Sequence, residues 1–134
     1  MLGYFFRLSR PVNLLISWLT FCLAAYLSME RDWRFVQSML FWAEGALITG
    51  IMASGYWIND VFDRKIDNIN KPQKALVGRV ISAKKVLTGY FVAAAVCGAA
   101  TLFLPFKFQL LNLGALVALY FYASLFKRKA VIGN

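Results

Sequence analysis

A polytopic bundle of transmembrane α-helices is the fold class this sequence predicts, and three observations predict it. Hydrophobic residues make up 60% of the 134-residue chain and charged residues only 16%, outside the balance of ordinary soluble domains. The apolar residues fall into four runs, approximately 12–29, 36–58, 86–104 and 108–126, each long enough at ~1.5 Å per residue to cross a hydrocarbon core of roughly 30 Å. No strand alternation with barrel-type turns accompanies them, and in lipid the backbone is satisfied only in helices or closed barrels. The expectation is a single membrane domain of four transmembrane helices.

The first run, Val12–Met29, follows Arg7 and Arg10 and is preceded by Pro11, whose missing N–H costs nothing in a first helical turn. A signal peptide would show the same basic-then-apolar order. This run is long, however, and no small-x-small cleavage site with a polar mature region follows it, so the helix is expected to stay. Asn13, just inside it, marks an interhelical hydrogen bond or a cavity-facing site. The second run, Val36–Ile58, is small-sided at Gly50, Ala53 and Ser54, as close helix packing requires. Trp18, Trp33, Trp42, Trp57, Tyr120 and Tyr122 read as packing or interfacial anchors. Tyr56 and Trp57 immediately precede the polar stretch and are also candidates to face a cation. Cys22 and Cys97 stand singly in different runs and the chain has no His. Zinc and haem attachment motifs are thereby absent, and a Ser-His or Cys-His nucleophile is excluded within the chain.

Basic residues set the orientation. Arg7 and Arg10, then Arg64, Lys65, Lys71, Lys74, Arg79, Lys84 and Lys85, then Lys127, Arg128 and Lys129 share one side if there are four crossings, leaving Arg31, Arg34 and Lys107 on the other. By the positive-inside rule the N-terminus, the stretch 59–85 and the C-terminus are cytoplasmic, in an integral protein of the cytoplasmic membrane. The net charge of +9 is then mostly a topology signal, with some attraction to anionic headgroups. Basic residues spread over membrane flanks argue against nucleic-acid binding.

Residues 59–85 form the one sizeable polar stretch, read as a cytoplasmic Asp-rich loop. Asp60, Asp63 and Asp67 are three of the six acidic residues in the chain. On a helix advancing about 100° per residue, Asn59, Asp63 and Asp67 fall near roughly 0°, 40° and 80°, with Asp60 near about 100°, so four oxygen-bearing side chains share a face. Like charges at this spacing destabilise a helix by about 0.2–0.5 kcal/mol per pair, and carboxylates at a helix C-terminus oppose its dipole. Something cationic should offset them. A hard divalent ion such as Mg²⁺, which keeps waters and bridges carboxylates to substrate phosphates, suits these oxygens. The plainer alternative is a solvated helix end with Asp60–Arg64 and Asp67–Lys71 pairs. Lys71, Lys74 and Arg79 follow, and a phosphate ligand needs such cations for its remaining oxygens. Lys84 and Lys85 read as ordinary cytoplasmic flank. Pro72 restricts Lys71 and ends the continuation of the second helix, while Gly78 permits a tight turn.

The pattern Asn59-Asp60-x-x-Asp63-x-x-x-Asp67, followed by Asn70-Lys71-Pro72 and Gly78-Arg79-Val80-Ile81-Ser82, resembles the first aspartate-rich motif and loop of the UbiA superfamily of intramembrane aromatic prenyltransferases. Arg10-Pro11-Val12-Asn13 is similar to the family's N-terminal pattern, and Phe126-Lys127-Arg128-Lys129 with Gly133-Asn134 resembles the start of its fifth helix. The resemblance implies the first half of a nine-helix fold. It implies transfer of a prenyl group from a polyprenyl diphosphate donor to an aromatic, quinone-precursor or glycerol-phosphate acceptor. Asn59, Asp63 and Asp67 would hold Mg²⁺ and the diphosphate, with Asp60 adjoining as a catalytic residue and Lys71, Lys74, Arg79 and Asn13 on the diphosphate. Lys74 stands where many members have Arg, and Ala75 where they have Pro, so Lys74 offers a point charge in place of a bidentate fork. No acidic residue follows Asp67, so the family's second aspartate-rich motif is missing and residues 1–134 alone are expected to be inactive. Two other readings compete: a non-catalytic membrane scaffold or assembly subunit, and a small cation transporter. A scaffold has no need to gather carboxylates on one face, and a transport path would put them near the membrane midplane.

Overall fold

The computed structural model describes residues 1–126. Helix α1 spans Leu2–Leu8, α2 Pro11–Ser28, α3 Met39–Asn70, α4 Ala83–Thr101 and α5 Phe106–Phe121. A 3₁₀ turn, Trp33–Gln37, precedes α3, and a π-helical turn, Tyr122–Phe126, continues α5. The expected basic segment Lys127–Lys129 and the resemblance at Gly133-Asn134 lie outside the described residues.

The all-helical expectation holds, with two differences of detail. Three helical segments, Pro11–Ser28, Ala83–Thr101 and Phe106–Leu125, are long and apolar enough to cross a membrane. The expected second span, now the N-terminal part of α3, does not reach that standard because Glu44, Thr49, Ser54 and several glycines dilute it. It also begins at Met39, since the Asp32 side chain accepts from the Arg34 N–H and starts the 3₁₀ turn in its place. The second difference is the stretch expected as a loop from residue 59. The chain stays helical through Asn70, because nothing before Pro72 removes a backbone donor. The true loop is residues 71–82. There Gly78 adopts φ +89°, a conformation glycine reaches without a Cβ penalty, and Ser82 caps α4 by accepting from the Lys85 N–H.

Helix α3 is the central post, packing against α1, α2, α4 and α5. At one end Leu8, Val61, Val77, Ile81 and Val86 form a buried cluster that joins α1, α3, the 71–82 loop and α4. Next along α3, Ile58, Tyr90 and Ala123 bury together. At the far end Trp18 and Phe21 of α2 meet Phe41 and Trp42 of α3, with Phe21 and Phe41 stacked at 5.1 Å. Gly45 makes this approach possible, since the Trp18 ring occupies the space a Cβ would fill. At this same end, buried Glu44 accepts a 2.9 Å hydrogen bond from Asn112 Nδ2 and ties α3 to α5. No residue of α2 is buried, and Leu15, Ile16, Leu19 and Leu23 point outward, a surface that suits lipid.

Candidate functional site

The last three turns of α3 run past the apolar segment and carry the acidic motif clear of it. They form one wall of a cavity of about 500 Å³. Asn59, Asp60, Asp63, Arg64 and Asp67 line it from α3; Lys71 and Lys74–Val77 line it from the loop; Arg7, Leu8 and Arg10 close it from the α1–α2 junction. Six of the residues singled out from sequence therefore come together: Asn59, Asp60, Asp63, Asp67, Lys71 and Lys74. The helical phase explains the acidic wall. The loop folds back through Lys74 N–H to Lys71 O and Gly78 N–H to Ile81 O hydrogen bonds, which brings the lysines opposite.

Arg79 and Asn13 do not line this cavity. Arg79 donates through Nη1 to the Pro72 carbonyl, so it braces the loop. Asn13 is exposed on the first turn of α2, where its carbonyl accepts from Ser17 Oγ. Arg10, read from the sequence only as a flanking cation and part of the N-terminal pattern, lines the cavity as well. Its Nη2 donates to Asp60 Oδ1 at 2.8 Å, in place of the local Asp60–Arg64 pair that spacing suggests, and its guanidinium lies 5.0 Å from the centroid of the Tyr56 ring. Arg10 holds the left-handed conformation, φ 53° and ψ 67°, which costs a non-glycine residue about 1–2 kcal/mol. The neighbouring packing fixes it there. Phe5 meets Trp57 edge-on at 4.8 Å, and Trp57 Nε1 donates to Ser9 Oγ at 2.9 Å. The signal available in the sequence was the position of Arg10, directly before Pro11 at a helix start.

Burial pushes the Asp60 carboxyl above the usual carboxylate range; the Arg10 charge and hydrogen bond oppose that shift, while Asp67 and Asp63 add to it. Beside it, Asn59 Oδ1 is buried with no hydrogen-bond partner among the described residues. A buried acceptor left unpaired costs about 1–3 kcal/mol, and on an acidic wall it suits a cation or a donor. Among the described residues no three His, Cys, Asp or Glu side chains cluster tightly enough to cage a metal by themselves. The donor set fits an ion that takes a few protein oxygens and keeps water and phosphate ligands, which is the habit of Mg²⁺.

A second, mostly apolar cavity of about 440 Å³ adjoins the first. Met52, Gly55 and Tyr56 of α3 face Leu119, Tyr122 and Ala123, and Asn59 and Arg10 line it as well as the acidic cavity. Gly55 lets α5 close in: a Cβ there would stand 2.9 Å from Leu119 Cδ1.

Fold and site together define a helical membrane protein with an acid-and-base cavity at one end of its central helix. The chain belongs to the UbiA prenyltransferase family, whose profile matches residues 13–134. It is similar to the digeranylgeranylglyceryl phosphate synthase of Methanospirillum hungatei, 30% identical over 126 residues that cover 93% of this chain and 43% of that protein. The Korarchaeum cryptofilum synthase of the same name is 30% identical over 139 residues, covering 99% of this chain and 46% of the relative. That of Haloquadratum walsbyi is 41% identical over 85 residues, 61% of this chain and 29% of the relative. The chain thus spans less than half the length of these relatives. No solved structure matches it.

Proposed function

We propose that this chain carries the donor-diphosphate site of a Mg²⁺-dependent membrane prenyltransferase, which moves a polyprenyl group from an allylic diphosphate to an acceptor. The observation that carries the reading is a single cavity with Asn59, Asp60, Asp63 and Asp67 on one wall and Lys71 and Lys74 on another, in a chain of this family. Asn59, Asp63 and Asp67 would hold the ion, and it would supply charge neutralisation of the departing diphosphate. Lys71 and Lys74 take phosphate oxygens on the opposite side, where their flexible stems let point charges follow the leaving group. Arg79 and Asn13 stay outside this assignment, because neither lines the cavity. The names of the relatives favour a glycerol-phosphate acceptor over an aromatic or quinone-precursor one. The test is equilibrium binding of a labelled prenyl diphosphate to the purified chain. Affinity should rise at least about tenfold with Mg²⁺, because the ion held by Asn59, Asp63 and Asp67 would offset the repulsion between the carboxylates and the diphosphate. Affinity unchanged by chelating divalent ions would sink the proposal.

The same reading gives a topology of four crossings. The apolar part of α3, Met39 to Ile58, measures about 30 Å along a helix axis, and the packing of α2, α4 and α5 around it supports a place among the spans. The acidic cavity then faces the cytoplasm in the cytoplasmic membrane, with Arg31 and Lys107 on the other side. Single cysteines introduced at positions 31, 67 and 107, in a chain with Cys22 and Cys97 replaced, should react with an impermeant thiol reagent from the inside only at 67. External labelling at 67 would overturn this topology.

A further inference from the structure

Of the two residues that line both cavities, Asn59 and Arg10, Arg10 is also ion-paired, to Asp60 of the acidic one. We propose that Arg10 is a partner-exchanging positioning residue: held on Asp60 in the ligand-free protein, its guanidinium passes to the phosphate of a bound diphosphate and opens the way between the acidic and the apolar cavity. The proposal rests on the donor-diphosphate reading given above. Three features of the site support it. The backbone of Arg10 is pinned, with a left-handed φ of 53° between Ser9, bonded to Trp57, and Pro11 at the first turn of α2. Its side chain is not pinned in the same way. It is 44% exposed where Asp60 is only 15% exposed, so the carboxylate is the fixed member of the pair and the cation sits on the open side. The Tyr56 face, 5.0 Å from the guanidinium, gives the cation a surface to slide over as it changes partner.

The chemistry of the exchange is balanced. A guanidinium presents a planar fork that matches carboxylate and phosphate equally well, and a diphosphate brings more negative charge than the single carboxylate it displaces. Arg10 also lines the apolar cavity beside Tyr56 and Asn59, so its departure from Asp60 changes the wall shared by both spaces. Among the described residues no other cation lines both cavities. Lys71 and Lys74 line the acidic cavity and not the apolar one.

The experiment is a double-mutant cycle read by titration calorimetry with inorganic pyrophosphate and Mg²⁺ on the full chain in detergent. Asp60→Asn, nearly isosteric, releases Arg10 and should tighten pyrophosphate binding about tenfold, whereas Arg10→Gln should weaken it by a similar factor. In the Arg10→Gln/Asp60→Asn double variant the gain should vanish. A gain that persists in the double variant reports only the removal of a repelling charge and overturns the exchange, as does Asp60→Asn binding no tighter than the parent chain. If Arg10→Gln fails to fold, Arg10→Lys keeps the charge without the fork, and the cycle is run with it; the gain from Asp60→Asn should then fall to about threefold or less. A parent chain that binds no pyrophosphate overturns the donor-diphosphate reading itself, and the exchange with it; normal Mg²⁺-dependent binding without an Arg10-dependent gain overturns the exchange alone.

Discussion

Asp63→Asn and Asp67→Asn are each expected to weaken Mg²⁺-dependent binding of a prenyl diphosphate by about a hundredfold or more, because even losing a group that only hydrogen-bonds to a metal ligand costs metal sites about 10–100-fold. Asparagine keeps the size and one oxygen of the side chain and removes its charge, so the variants separate ligation from packing. Both side chains are half-buried on the cavity wall and lie beyond the apolar part of α3. Membrane insertion and thermal stability should therefore stay near those of the parent chain. Lys65→Gln is the matched control. Lys65 is exposed on the same two turns of helix and does not line the cavity, so its loss should change affinity by less than about twofold, because water and salt screen an exposed charge. Full affinity in the Asp63 or Asp67 variant would remove that residue from the set of ion ligands. On the proposed reading, in which ion and diphosphate would bind together, loss of transfer activity in the whole protein should follow the same order.

How much of this was legible in the sequence depended on range. Helical phase is a local property, so the shared face of Asn59, Asp60, Asp63 and Asp67 could be read from spacing alone, and the structure places all four on one cavity. The stop at Pro72 was also local, and α3 ends at Asn70. The starting point of the polar loop was not legible, because polarity marks where a chain meets water and says nothing of where its helix ends. Pairing across the fold was hidden for a different reason. Asp60 has a good partner four residues on in Arg64, yet it takes Arg10, 50 residues earlier, because the packing of Phe5 and Ser9 on Trp57 brings the α1–α2 junction over α3. The Glu44 pairing was hidden for the same reason, since its partner Asn112 lies 68 residues away. Arg79 and Asn13 are the converse case, for neither lines the cavity. Residue type for Arg79 and the family resemblance for Asn13 suggested phosphate ligands, but one side chain closes its own loop on Pro72 and the other sits exposed on α2.

Gly45→Ala is expected to reverse the usual sign of a helix glycine substitution. Replacing glycine by alanine inside a helix ordinarily stabilises by about 0.5–1 kcal/mol, since alanine surrenders less backbone entropy. Gly114→Ala should show that gain in this chain, because nothing lies within 4 Å of the new methyl group. At Gly45 the same methyl would fall well inside contact distance of the Trp18 ring and 3.0 Å from Phe21 Cε1. Trp18 cannot simply turn away. Its ring is packed among Phe21, Phe41 and Trp42 at centroid distances of 5.8, 6.0 and 5.8 Å, so α2 must move off α3, at a cost of about 1–3 kcal/mol for overpacking. That corresponds to a fall in melting temperature of roughly 5–10 °C for a chain of this size. The displacement should also be felt at the other end of α2, about 12 Å along the axis from Trp18 to Arg10. A shift there lengthens the 2.8 Å contact between Arg10 and Asp60 and should alter pyrophosphate affinity in the Gly45 variant while leaving it unchanged in the Gly114 variant. Thermal unfolding and pyrophosphate titration of the two variants side by side make the check. A Gly45→Ala chain as stable as Gly114→Ala would mean that the α2–α3 contact through Trp18 does not hold these helices together.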